Sequence, residues 1–282
     1  MLDEHALNLH PVAQRRVLRA LKSRSGQVLL VTHSPYMIPV DDQADLNRIL
    51  RFDIKHGATR VNRLHPTSPV DPNRAKLARW LSELTEVRSL LFANAVILVE
   101  GPTEEGALPI WFAKSSTAEH RGTPDDLNLL VFNVGGDRNY EIFVSLSVGF
   151  GVPWAAICDA RALGNSEGSV VNQGPIFRQL ALAGVKVDMA SVPTAFADLK
   201  LAGEEHGVFT LAREFDDEVE EFLTARYPQQ YEAAKKTWPR SKVMAGRMIA
   251  QETPSPEEVN DLYRVILDWL EGSVSSVGPG AN

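Results

Sequence analysis

Cysteine is nearly absent: Cys158 is the single one in 282 residues, so no intrachain disulfide can form and a reducing compartment is expected. Long apolar runs are absent too. No window approaches the roughly 18 uninterrupted apolar residues of a spanning helix, so no segment is expected to span a membrane. The opening stretch, MLDEHALNLHP, has no basic region followed by an apolar run. It does not read as a secretory leader, and a cytoplasmic location is expected. There is no internal repeat, which excludes solenoids and propellers. There is no surplus of positive charge: the formal net charge is −7, which argues against a general basic coat while leaving room for a local basic groove. No alternation of aromatic and basic residues signals a stacking surface for single strands.

What is present is enough apolar material for a core, 44% of residues, and length enough for two modest domains. His10-Pro11 opens a helix to about Lys22, and Val28–Val31 reads as a strand buried on both faces. Leu46–Asp53 and Thr59–Leu64 read as strands around the turn residues His56-Gly57. Pro66–Asn73 is a proline-rich linker, and helical spacing then predicts one helix over Arg74–Phe92. From Ala95 the chain alternates. Strands are predicted at Ala95–Val99, Leu129–Asn133, Trp154–Cys158 and Val185–Met189, with helices at Glu104–Ala113 and Tyr140–Gly149 between them. Such alternation implies a mostly parallel sheet flanked by helices. After about residue 200 the pattern is mainly helical, over Asp216–Tyr227, Pro228–Trp238, Ser241–Ala250 and Ser255–Leu270.

Ligands of open parallel sheets bind beyond the carboxyl ends of the strands. Three of the predicted strands end there in Glu100, in Gly135-Gly136 and in Asp159. Glu104, four residues after Glu100, falls in the first turn of a helix, where a carboxylate is favoured by the dipole. Glu100, Glu104 and Asp159 are thus candidates to converge, and their hard oxygens suit Mg²⁺ or Mn²⁺.

The run LFANAVILVEGPTEEGALP, then NVGG, then a strand ending in CDA, resembles the topoisomerase–primase (Toprim) domain of the OLD (overcoming lysogenisation defect) family of ATP-dependent endonucleases. The resemblance extends over roughly residues 1–270. It implies that Glu100 and Glu104 are catalytic or metal-binding acids and that Asp159 is a metal ligand. It implies a further acid in a late helix, for which VEEFL offers Glu220, with Glu214, Asp217 and Glu218 as competitors. It also implies a downstream cation, for which PRSKVMAGR offers Lys242, with Arg240 and Arg247 as neighbours. The function implied is metal-dependent endonucleolytic cleavage of DNA, in defence against phage or plasmid DNA. One departure stands out. The family usually has Asp-x-Asp at the third strand, and this chain has Asp159-Ala160-Arg161. An arginine there opposes a second metal ion and keeps open a non-catalytic DNA-binding or assembly module.

MLDEHALNLHP further resembles the Walker B and D-loop stretch of ABC-type ATPases, and VLLVTHSPYMI the switch-histidine loop. By that resemblance Asp3, Glu4 and His33 belong to a nucleotide site. The sequence contains no G-x-x-x-x-G-K-[ST], so ATP is expected to act only with a Walker A-bearing partner or N-terminal portion. The expected layout is an ATPase remnant over 1–64, a linker and helix over 65–94, a Toprim core over 95–205, a helical part over 206–272 and a flexible tail over 273–282. DNA and a separate ATPase portion are the expected partners, and a homodimer stays open.

Overall fold

A computed structural model describes residues 2–3, 9–23, 26–55, 57–64, 74–119, 121–164, 175–193, 195–211 and 215–276. The chain divides into two compact units, one of residues 1–93 with 149–151, the other of 94–148 with 152–282. The expected linker at 66–73 and the end of the tail lie outside the described residues. No helix among those described is long and apolar enough to cross a membrane.

In the first unit β1 (Leu2–Asp3) pairs in parallel with β2 (Leu30–Val31), Asp3 opposite Val31. Between them α1 (Pro11–Lys22) starts on a proline, and His10 Nδ1 accepts from the Val12 amide. Buried Gln14 ties this helix to the THSP loop: it donates to the Leu9 carbonyl at 2.8 Å and accepts the Ser34 hydroxyl at 2.5 Å. The strand expected over Val28–Val31 is only two residues long and not buried. Val28, Leu29 and Val31 are 45%, 57% and 44% exposed, because two-residue β1 is its only described partner.

The strand expected over Leu46–Asp53 begins later. Residues 45–48 form a short 3₁₀ turn because Asp45 accepts from the Asp41 amide at 2.9 Å and from Arg48 at 2.9 Å. β3 (Arg51–Lys55) then pairs antiparallel with β4 (Ala58–Asn62). The single helix expected over Arg74–Phe92 is broken into α2 (Arg74–Glu83) and α3 (Thr85–Ser89), followed by a 3₁₀ turn. Leu84 between them is extended, and the buried Arg88 guanidinium donates to the carbonyls of Leu81 and Ser82 that the break releases.

The second unit runs β5 (Ala95–Val99), α4 (Pro102–Glu119), β6 (Leu129–Asn133), α5 (Tyr140–Gly149), β7 (Trp154–Ile157), α6 (Ala160–Leu163), α7 (Pro175–Leu182), α8 (Phe196–Glu204), β8 (Val208–Phe209), α9 (Phe215–Arg226), α10 (Pro228–Thr237), α11 (Lys242–Glu252) and α12 (Glu257–Ser276). Its four strands are all parallel, in the order β6-β5-β7-β8. Every residue of β5 is buried, as its unbroken apolar run requires of a central strand. Ala95, Ile97 and Val99 face a core shared with α4, α9, α11 and α12. There Phe112 stacks on Tyr263 with ring centroids 4.3 Å apart, and Trp111 donates to Thr253 Oγ1 at 3.3 Å. On the opposite face Phe132 meets Phe143 of α5 at 4.8 Å.

Val185–Met189 is not a strand. The segment closes into turns, with Asp188 accepting from the amides of Ala190 and Ser191. The place beside β7 goes to β8, which lies past residue 205, where the sequence reading ended the core.

Helices α4 and α11 cross backbone against backbone. A Cβ on Gly106 would lie 2.2 Å from the Val243 carbonyl oxygen, and one on Gly246 would lie 2.5 Å from that of Thr103. The first turn of α4 and the first turn of α11 are thereby held side by side.

Candidate functional site

The chain leaves β5 toward β6 on one side, and β7 leads to β8 on the other, so the sheet's order reverses between β5 and β7. A crevice at the carboxyl ends of strands flanking such a reversal is where open sheets place ligands. Glu100 follows β5 and Asp159 lies two residues beyond β7. Both side chains are at this edge, and the Asp159 amide faces Glu100 Oε2 at 3.4 Å. The Gly135-Gly136 turn caps the same edge. Its φ values of 75° and 117° suit glycine, and the Gly136 amide donates to the Glu100 carbonyl at 2.9 Å. Beneath, buried Tyr140 donates its hydroxyl to the Ile157 carbonyl at 2.5 Å and fixes the end of β7.

Glu104 is brought to the same place by the first turn of α4. It is buried, and its Oε2 lies where a Cβ on Gly101 would be 3.0 Å away, so Glu-Gly-x-x-Glu folds back upon itself. Among the described residues no cation pairs with it. Its carboxyl is pushed up to about 7, first by burial and then by the charges of Asp159, Asp216 and Glu100. A helix N-terminus favours an anion by about 0.3–1 kcal/mol, which is too little to offset that burial.

Two cations serve the other acids. Arg161 Nη2 is 2.7 Å from Glu100 Oε1 and 3.6 Å from Asp159 Oδ2. Lys242 Nζ sits 3.1 Å from Asp216 Oδ2 at the start of α9. Asp159 Oδ1 in turn accepts from the Phe215 amide at 2.9 Å, tying the start of α9 to the end of β7.

The structure thus brings together Glu100, Glu104, Asp159 and Lys242. It does not bring Glu220. That side chain accepts the Tyr231 hydroxyl at 2.5 Å, a bond that leads in pushing the Tyr231 hydroxyl up to about 12. The late acid beside Glu104 is Asp216, which the sequence reading passed over. Asp217 is exposed on the same helix, and Glu214 lies outside the described residues. Asn133 was also missed: it donates to Glu105 Oε2 at 3.2 Å across the end of β6. Of the residues assigned to nucleotide binding, Asp3 ends β1 and His33 is exposed on the loop beyond β2, both in the first unit. Glu4 lies outside the described residues.

The donor set suits a hard divalent cation in kind and in charge. Four carboxylates stand against two cations, and Oδ1 of Asp216 is buried without a hydrogen-bond partner. Among the described residues no three His, Cys, Asp or Glu side chains already converge as a ligand sphere. Arg161 holds Glu100, and Lys242 holds Asp216.

Residues 91–160 match the family model for the Toprim domain of overcoming lysogenization defect protein-like chains. Solved structures of similar fold include the C-terminal region of the Xanthomonas campestris pv. campestris OLD protein, at 18% identity over 65% of this chain and 97% of that one, with a TM-score of 0.46. The C-terminal region of the Burkholderia pseudomallei OLD protein matches at 17% identity over 65% and 99%, with a TM-score of 0.47. No curated protein matches the chain. Glu100, Glu104 and Asp159 lie within the stretch that matches the OLD-like Toprim model, and Asp216 lies beyond it.

Proposed function

We propose that this Toprim domain hydrolyses DNA phosphodiester bonds at the carboxylate cluster on the edge of its sheet. The observation that carries the reading is Glu104, buried and without a cation partner among the described residues, with its carboxyl at about 7. A carboxylate poised near neutral pH can take a proton from an attacking water, and perturbed acids gather at working sites. Glu104, Asp159 and Asp216, joined by Glu100 when Arg161 releases it, are the residues that would hold Mg²⁺ or Mn²⁺. When bound, such an ion neutralises charge on the phosphate and lowers the pKa of a bound water. Lys242 stands beside Asp216 to offset phosphate charge. Nothing in the chain's own sequence cradles a nucleotide phosphate, so ATP enters this reading only with a Walker A-bearing partner or portion.

A second reading rests on one specific observation, the Arg161–Glu100 pair at 2.7 Å. With Arg161 as resident cation, the edge holds a DNA phosphate by charge and cuts nothing. Supercoiled plasmid with Mn²⁺ separates the two. Nicking by the native chain that is lost in Glu104→Gln supports hydrolysis. DNA binding that is equal in Mn²⁺ and in chelator, with no nicking, supports the binding module instead.

A further inference from the structure

Next to the carboxylates a pocket of about 540 Å³ opens between the start of α4 and the turn joining α10 to α11. Pro102, Lys235, Trp238, Pro239, Arg240 and Lys242 line it. Three cations and no acid surround one indole, in a chain whose net charge is −7. Among the described residues neither Lys235 nor Arg240 has a carboxylate partner, and Lys235 sits over the Tyr231 ring at 5.3 Å. Trp238 is half-buried and packs against the core, so its ring is a fixed wall. The pocket is continuous with the site: Lys242 belongs to both, and Pro102 lies two residues from Glu100 and two from Glu104.

We propose that this pocket holds one unstacked nucleotide of a single DNA strand running into the carboxylate site, its base against Trp238 and its flanking phosphates on Lys235, Arg240 and Lys242. A flat aromatic wall recognises any base, and the surrounding cations recognise the backbone. A base within an intact duplex cannot reach the wall without being unstacked. The substrate class is therefore DNA with an unpaired segment at the cut, such as a gap, flap or melted stretch. The sequence offered the basic stretch from Lys235 to Arg247 as a contact for DNA phosphates but not Trp238, because the indole is set among these cations by a turn rather than by alternation along a strand. The proposal rests on the hydrolytic reading for its substrate and deepens it.

The test measures binding of a fluorescein-labelled oligothymidylate and of a blunt duplex by anisotropy. The full chain is used in a chelator, so that no cleavage intervenes. Trp238→Ala is expected to weaken single-strand binding about tenfold while changing duplex binding less than about twofold. Trp238→Phe retains most of the affinity. Arg240→Gln, at an exposed position, weakens the single strand and lowers its salt slope by about one. Single-strand affinity unmoved by Trp238→Ala, or equal losses for strand and duplex, overturns the proposal. Where Trp238→Ala fails to fold, an unchanged Arg240→Gln overturns it. Plasmid nicking by the same preparations keeps the two readings apart. Trp238-dependent strand binding without nicking supports the pocket and removes hydrolysis, whereas nicking with Trp238-independent binding removes the pocket alone.

Discussion

Arg161 reaches from the one-turn helix α6 across the reversal of the sheet to Glu100, Nη2 to Oε1 at 2.7 Å, and stands 3.6 Å from Asp159. The guanidinium is 55% exposed, so the pair contributes little to stability, within about 1 kcal/mol. Its weight falls on the site instead. A positive charge bound to one candidate ligand and close to a second competes with any dication for both.

Removing that charge is the first prediction. Arg161→Ala is expected to tighten Mn²⁺ binding at least about tenfold, and Arg161→Asp more, by calorimetric titration. Thermal stability should barely change. Weaker Mn²⁺ binding in either variant would show that Arg161 supports the ion rather than opposing it.

The late acid gives the second. Asp216→Asn is expected to lose Mn²⁺ binding and nicking together. Glu220→Gln is expected to leave nicking within about twofold, because its carboxylate is engaged by Tyr231 rather than by the cluster. The reverse ranking would return the role to Glu220.

Glu104 gives the third, with a definite sign. Its folded-state carboxyl sits at about 7 against an ordinary 4.5, so the folded chain holds a proton that the unfolded chain has released. Stability therefore falls as pH rises from about 4.5 to about 7, by on the order of 3 kcal/mol. Glu104→Gln should flatten this slope and raise the melting temperature at pH 8. Mn²⁺ should stabilise the native chain more at pH 8 than at pH 6. A native chain equally stable across that window would sink the assignment.

The helix crossing gives the fourth. Gly246→Ala gains about 1 kcal/mol of helix propensity. It also drives a methyl to 2.5 Å from the Thr103 carbonyl oxygen, where backbone must move. Overpacking of that kind costs roughly 1–3 kcal/mol, so a net loss in urea midpoint is expected. Nicking should fall further than stability alone accounts for, because Glu104 and Lys242 ride on the two helices.

What was legible in the sequence follows from how locally each feature is determined. β5 and β7 were legible because central strands must be apolar on both faces, and the acids after them, Glu100 and Asp159, then had one place to go; β6, at the sheet's edge, was legible from its short apolar run before a glycine pair. Val185–Met189 misled because alternation cannot tell a strand from a turn whose Asp188 satisfies two amides itself. Leu84 could not be seen as a break, since the carbonyls it frees are met by Arg88, four residues on. Asp216 was hidden in a run of five acids over FDDEVEEFL. Its place beside the other acids comes from lying in the first turn of α9, whose start is tied to Asp159 through the Phe215 amide. The buried stripe Phe215, Val219 and Leu223 was a usable signal, because it fixes which end of that helix meets the sheet.

The backbone contact between α4 and α11 has a consequence for how the edge can adapt. Gly106 and Gly246 leave no room between the two helices, so the backbone segments that carry Glu104 and Lys242 are held close together. Arg161 reaches the same edge from a four-residue helix, with its side chain half in solvent. The edge thus sets an acid and a lysine on braced backbone against one long, half-solvated side chain. The charge balance of the edge is therefore set most directly by the one residue at position 161, whose side chain touches two of the four acids.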